Sequence, residues 1–499
     1  MLAIGIDVGT SNCCVYGMRN QERPELIPSL SGNALTPSVV FVGNKDILVG
    51  DIALQQQASD PLHTFYEFKR VIGRVYAQKE LWHDAKHWPF SLGRPSQPDT
   101  EPPIYHAYHH DELQSFTALQ LTSLLLQQLF ADVKTCHNNA PLSSVVVTVP
   151  AHFDHVQRNA TIEAIKSQVT GCDIQLCNEP TAAAVAYVHS HPQLLNPDDK
   201  LLVFDLGAGT LDVTVLTYNK DTYHIVTSDG VGNLGGLNFT QALLQRFIQH
   251  VKDTSQQDIR QDKALLALCR ELCEKAKRSL TVCQETSIHL PNAPATPPLT
   301  CSRAQFEQII ASDLKRCREL LVKTVQDMTI HHVVLVGGSA RVPAVQQIIQ
   351  QMLPHSVIHR DINMDQCVAL GACYLAGMTG TATVHERLSH GIGLKTAKKV
   401  MHILLPRHQA LPCEASQILY PQSTRQTTVE ICLYQGEDPL ADNNVLLGRL
   451  RLSEVPPNQP ELRLHVSIDA AGVIAVEIRD PTGRAARSTM QYNGVGVKS

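Results

Sequence analysis

Two stretches far apart in the chain share one grammar, and they constrain the fold more than any other feature. Gly5-Ile6-Asp7-Val8-Gly9-Thr10-Ser11-Asn12 and Phe204-Asp205-Leu206-Gly207-Ala208-Gly209-Thr210-Leu211-Asp212 each run from an apolar strand to an Asp, a glycine turn and a Thr. Glycine allows a tight turn and brings backbone N–H groups close to an anion. An Asp at a strand end suits Mg²⁺, a hard cation that prefers oxygen and keeps most of its water. One such hairpin alone reads as a plain β-turn. Its repetition argues for two turns gripping a polyphosphate from opposite sides.

The first ~380 residues alternate strands with helices, the pattern of α/β lobes with ligand sites at strand ends. Strands are expected at Val145–Val149, Lys200–Asp205, Val213–Tyr218, Tyr223–Ser228 and Val333–Val336, and helices at Asn159–Val169, Gln261–Thr281, Leu314–Met328 and Pro343–Met352. After Met378 the character changes. Residues 379–389 read as a linker, and 390–499 as a small β-sandwich whose expected strands are Lys399–Leu405, Thr427–Leu433, Leu446–Leu452, Glu461–Ile468 and Gly472–Ile478. Within the fourth, Leu462, Leu464, Val466 and Ile468 alternate with a period of two.

Bulk properties exclude several classes. A net charge of −5 gives no basic footprint for nucleic acid. No apolar run reaches the ~18 residues of a membrane span. The chain starts directly on a strand without a basic n-region, so no secretory signal is expected. The fourteen Cys lack metal spacing, and Cys269 and Cys273 have no partners to complete a tetrahedral set. They read as reduced core thiols of a cytoplasmic protein. Cys13 and Cys14 stand beside the first turn, where oxidation would affect the site.

Several blocks carry a family resemblance: the two turns, Phe68-Lys69-Arg70-Val71-Ile72-Gly73-Arg74, Val147-Thr148-Val149-Pro150-Ala151-His152-Phe153, Asn178-Glu179-Pro180-Thr181-Ala182-Ala183-Ala184, Glu274-Lys275-Ala276-Lys277-Arg278, and Val336-Gly337-Gly338-Ser339-Ala340-Arg341-Val342-Pro343. With them the chain resembles the seventy-kilodalton heat-shock (DnaK-type) chaperones over nearly its whole length. The resemblance implies an actin-like, two-lobed ATPase unit at 1–378 followed by a peptide-binding β-sandwich at 390–499.

Residue roles implied by the resemblance follow the chemistry of phosphoryl transfer to water, which needs positioning and charge neutralisation. Asp7 and Asp205 would hold hydrated Mg²⁺, while Gly9, Thr10, Ser11, Asn12 and Gly207, Ala208, Gly209, Thr210 would contact the phosphates of ATP or ADP. Lys69 would sit beside the γ-phosphate, and Glu179 and Asp212 would orient water. Gly235, Gly236, Glu274, Lys277, Arg278, Gly337, Gly338, Ser339, Arg341 and Asp365 would form the adenosine pocket. Pro150 and Arg158 match the pair that relays nucleotide state to the substrate domain. Leu394, Leu419, Val429 and Ile431 would line a cleft for extended, unfolded polypeptide; the same four also read as ordinary sandwich core.

Four departures stand out. Ala208 replaces a glycine, and its methyl either crowds the phosphate or fits if φ is negative. Residues 380–386 are a poor equivalent of the family's apolar, acidic linker, which counts against linker docking. Gln175 stands where many members carry an Arg used with J-domain partners, so that partnership is not expected; a nucleotide-exchange factor stays open. No helical lid follows the sandwich, so fast peptide exchange is expected. The leading expectation is an ATP-dependent, lidless chaperone. The alternative is a nucleotide-gated regulatory module with weak turnover and one dedicated partner. A small-molecule kinase would share the phosphate turns but neither the 178–184 block nor the β domain.

Overall fold

In the computed structural model, the strand that carries Asp7, Leu2–Val8, pairs antiparallel with Asn12–Arg19 and parallel with Leu142–Val149. The strand that carries Asp205, Leu201–Leu206, repeats this arrangement with Leu211–Asn219 and His332–Val336. Beyond the parallel partner, Asp173–Asn178 extends the first sheet and Val357–His359 the second, both in parallel. The duplicated turn is therefore the visible part of a duplicated sheet. Leu201–Leu206 is buried along its whole length, as befits a central strand covered on both faces. The structure describes all residues except 86–87, 194–195, 198, 292, 294–295, 378–382, 422, 424–425, 456–460, 470–471 and 492–499.

Each sheet has its own apolar core. Helix Ala118–Cys136 covers the first, and helices Gly236–Ser255, Lys263–Ser279 and Ala311–Val325 cover the second. A third core joins the sheets through two small-residue helices, Glu179–Ser190 and Cys367–Gly377. A Cβ at Gly371 would lie 1.7 Å from the Ala182 carbonyl oxygen, so this crossing demands glycine. The helix expected at Asn159–Val169 spans His155–Lys166 instead. Asp154 and Gln157 form a capping box that starts it earlier.

The C-terminal part is two four-stranded antiparallel sheets around one core. One runs Met401–Leu405, Ile392–Lys395, Val429–Gln435, Val445–Leu452; the other runs Cys413–Leu419, Leu462–Ile468, Val473–Arg479, Ala485–Gln491. The alternation read at Leu462–Ile468 holds, with Leu462, Leu464, Val466 and Ile468 all buried.

The expectation against linker docking is corrected. Thr383–His385 pairs in parallel with Thr222–His224 as an edge strand of the second sheet. Residues 378–382 lie outside the described residues, but Glu386 accepts from Thr181 Oγ1 at 3.0 Å, and Arg387 donates to the Ile225 carbonyl at 2.6 Å. Strand addition uses backbone groups, which every non-proline residue carries, so an atypical side-chain pattern does not prevent it. The sandwich itself is seated on the first two lobes. Gln435 accepts from the His155 backbone N–H at 2.9 Å, and Arg407 pairs with the buried Asp229 at 2.7 Å. Among the described residues, no helix is long and apolar enough to cross a membrane.

Candidate nucleotide site

The two turns meet. A Cβ at Gly209 would stand 2.8 Å from Thr10 Oγ1 and 3.1 Å from Arg70 Nε, so the second turn can approach the first only as glycine. Ser38 fixes the first turn, its hydroxyl donating to the Gly9 carbonyl at 2.7 Å and its N–H to the Ser11 carbonyl at 2.9 Å. The second is pinned by Ser339 Oγ donating to Gly207 O at 2.8 Å and by Leu237 N–H donating to Ala208 O at 2.9 Å. Ala208 is not among the described non-glycine residues with positive φ, so its methyl strains no backbone. Gly337 does adopt φ +78°, where its Cβ would also meet Leu206 O at 2.3 Å.

Between the turns lies a cavity of about 690 Å³. Its wall holds Asp7, Gly9, Thr10, Ser11, Asn12, Lys69, Glu179, Asp205, Gly207, Ala208 and Thr210. Gly236, Glu274, Lys277, Arg278, Gly337, Gly338, Ser339, Arg341 and Asp365 line it as well. Three expected residues stand behind this wall. Gly209 and Gly235 pack in the second layer, and Asp212 is buried beneath the floor as the strand partner of Asp205.

Charge dominates the wall around Lys69. Lys69 Nζ donates to Glu179 Oε1 at 2.6 Å, with both side chains 10% exposed. Burial, with Asp7 and Asp212 nearby, outweighs Lys69 and pushes the Glu179 carboxyl up to about 7. Asp205 rises well above the carboxylate range through burial and then through Glu179, Asp212 and Asp7. Asp212 Oδ2 is buried without a hydrogen-bond partner. Four carboxylates around one ammonium leave an excess of negative charge that a divalent cation would neutralise. Among the described residues, no group of three or more His, Cys, Asp or Glu side chains is placed to ligate a metal ion directly; Mg²⁺ keeps most of its water, so Asp7 and Asp205 would meet it through that shell. The residues therefore fit Mg²⁺, and Asp7 and Asp205 would hold it.

This arrangement makes a pH prediction. The native state binds the Glu179 proton more tightly than the unfolded chain, whose ordinary value is 4.5. That contribution to stability is complete below about pH 4.5 and is lost as pH rises through about 7. A bound cation favours the ionised carboxylate, so the thermal shift given by Mg²⁺ with ADP should grow between about pH 6 and about pH 8. A shift that is flat across this range contradicts the assignment.

Elsewhere on the wall, Glu274 accepts from Lys277 at 2.7 Å, Arg278 at 2.8 Å and Thr240 at 2.5 Å. Although burial opposes it, Lys277 leads these partners in holding the Glu274 carboxyl at about 2. The Arg278 side chain is 71% exposed while bonded to Glu274, and Arg341 is fixed by two hydrogen bonds to Asp365 at 2.9 and 2.8 Å.

Pro150 and Arg158, expected to relay nucleotide state, are also brought together. Arg158 donates to the carbonyls of Phe153, Ala151 and Pro150 at 3.0, 3.1 and 3.5 Å, and to Asn178 Oδ1 at 2.7 Å. This ties the Pro150 turn to the residue before Glu179. The four cleft candidates are not brought to an open groove. Leu394, Val429 and Ile431 are 5%, 9% and 6% exposed in the sandwich core, and Leu419 packs against it.

The sequence reading missed several site residues. Arg70, inside the 68–74 block, donates to Gly209 O at 3.3 Å and Asn238 Oδ1 at 3.0 Å and so ties one lobe to the other. Glu67, at φ 58°, pairs with Arg270 across the cleft, and Arg270 lies 4.9 Å from the Tyr66 ring centroid. Nothing local in the sequence marks Glu67 or Arg270, because their partnership exists only once the lobes close.

The fold and the cleft define a two-lobed protein with a cavity between paired glycine turns and a docked β-sandwich. The Hsp70 protein family model matches residues 3–495, and the chain belongs to that family. It is 31% identical to heat shock cognate 70 kDa protein 3 of Dictyostelium discoideum over 99% of this chain and 81% of that protein. It is 32% identical to a heat shock 70 kDa protein of Neurospora crassa over 98% of this chain and 77% of that protein. Family membership supports a chaperone function. Hsp70 proteins in general are ATPases that use ATP or ADP with Mg²⁺ and bind unfolded polypeptides.

Proposed function

We propose that this chain hydrolyses ATP between its two lobes and uses nucleotide state to control binding of extended apolar peptide by the sandwich. The observation that carries this reading is the contact of the two turns, with Lys69 and Glu179 paired beside it and the linker strand hydrogen-bonded to the sheet that carries Asp205. Backbone amides of both turns would bind the phosphates, and Lys69 would place a point charge where negative charge develops. Glu179 and Asp212 would accept hydrogen bonds from water and orient it. Mg²⁺, when bound, neutralises phosphate charge. The fourteen free cysteines support a reducing, cytoplasmic setting.

Single-turnover hydrolysis with and without an apolar peptide tests the proposal, and peptide should accelerate it. A second reading, a nucleotide-gated module with one dedicated partner, is favoured by the tight packing of Leu394, Val429 and Ile431. Tight ATP binding without turnover in either condition would select it. The family's exchange-factor partnership is retained in the proposal. The J-domain partnership is not, because Gln175 donates to Asp173 and presents no guanidinium.

A further inference from the structure

The two sheets repeat in topology but not in what flanks their aspartates. Asp7 stands between Cys14 on its antiparallel partner and Thr148 on its parallel partner. At the corresponding register of the second sheet, Asp205 stands between Asp212 and Val336. Thr148 Oγ1 donates to Asp7 Oδ1 at 3.2 Å. Val336 has no hydroxyl to offer Asp205, and Asp212 brings a like charge. One aspartate of the pair therefore receives a side-chain donor from its parallel neighbour and the other does not.

Thr148 is also the exception within its own strand. Val145, Val146, Val147 and Val149 surround it, and each of the five residues is buried. Valine has the same branched shape, so packing alone does not call for threonine at this position. A buried hydroxyl is unfavourable unless it is hydrogen-bonded, and Asp7 Oδ1 supplies the acceptor. Branching at Cβ restricts the Thr148 side chain in χ1, so the hydroxyl is held in one direction. Lys69 acts on Asp7 through its charge, but its ammonium donates to Glu179 at 2.6 Å.

We propose that Thr148 is a positioning residue for the cation site. By occupying Oδ1 of Asp7 it aims the second carboxylate oxygen into the cavity that Asp7 lines, where the water shell of Mg²⁺ would meet it. This assignment rests on the reading of the cavity as a site for Mg²⁺ with nucleotide.

The test is calorimetric titration of ADP into the full chain at graded Mg²⁺ concentrations, comparing wild type with Thr148→Val, Thr148→Ser and Thr148→Ala. Melting temperatures are measured on the metal-free proteins. ADP affinity of the wild type should rise with Mg²⁺, and Thr148→Val should raise the Mg²⁺ concentration giving half of that rise by about tenfold or more. Affinity for ADP in EDTA should stay within about twofold, and the melting temperature should not fall, because valine fills the same space. Thr148→Ser keeps the hydroxyl and should remain within about threefold of wild type. Thr148→Ala replaces the Val variant if that variant does not fold, and should show the same increase. A Mg²⁺ midpoint unchanged in the Val or Ala variant overturns the role of Thr148. An increase shared by Thr148→Ser overturns it too, since that traces the effect to packing rather than to the hydroxyl. ADP binding by the wild type that is indifferent to Mg²⁺ overturns the cation reading and this assignment with it.

Discussion

Replacing Lys69 by alanine is expected to remove most ATP turnover while leaving nucleotide affinity within about tenfold, or ~1.4 kcal/mol. The asymmetry follows from where the ammonium sits. Lys69 is buried beside Glu179 and Asp7, and Glu274, which would meet the adenosine, is paired instead with Lys277, Arg278 and Thr240. Burial alone would weaken its charge, but Glu179 and Asp7 more than compensate and hold the ammonium protonated above its ordinary range. Its charge therefore acts where phosphate and water react, and it contributes little to recognition of the rest of the nucleotide. Removing it leaves Glu179 facing Asp7, Asp205 and Asp212 without a counter-charge, so the nucleotide-free protein should also lose stability, by up to ~3–5 kcal/mol where protonation does not relieve it. Single-turnover hydrolysis and calorimetric binding on one preparation separate the effects. Turnover that survives unchanged shows that the charge acts elsewhere.

Arg158→Ala should abolish the acceleration of hydrolysis by peptide and destabilise the first lobe by ~2–4 kcal/mol. Arg158 is 8% exposed, and its guanidinium serves the Phe153, Ala151 and Pro150 carbonyls together with Asn178. Alanine would leave these buried acceptors without their donor, which accounts for the stability loss. The coupling loss has a separate cause. Asn178 immediately precedes Glu179, and three residues farther on Thr181 donates to Glu386 of the docked linker segment. Arg158 thus braces the short stretch through which the docked segment and Glu179 are connected. Coupling requires that each ligand prefer one of two arrangements, so basal hydrolysis should persist while its peptide dependence vanishes. A variant of equal peptide stimulation would show that this brace is structural only.

Much of the site was legible because glycine turns leave a local signature. Asp7, Gly9, Thr10, Asp205, Gly207 and Thr210 belong to two short motifs, and the structure brings both to one cavity. The alternating run from Leu462 to Ile468 was equally plain, since one buried face imposes a period of two. Three sandwich strands escaped notice: Ile392–Lys395, Cys413–Leu419 and Ala485–Gln491. Each is short, interrupted by polar residues or half-exposed, so its pairing is decided by neighbours rather than by its own pattern. The linker was misjudged for a related reason. Thr383–His385 docks through main-chain groups, and side chains announce nothing about that. Cross-lobe partners such as Glu67 with Arg270 were invisible because residues distant in the chain carry no mark of each other.

Isothermal titration of ATP into the metal-replete full chain tests the paired-turn grip most directly. Saturable heat at one site per chain is expected with Mg²⁺ present, with affinity falling sharply when EDTA removes the cation. Absence of heat under both conditions would contradict the grip, as would binding of equal strength with and without Mg²⁺.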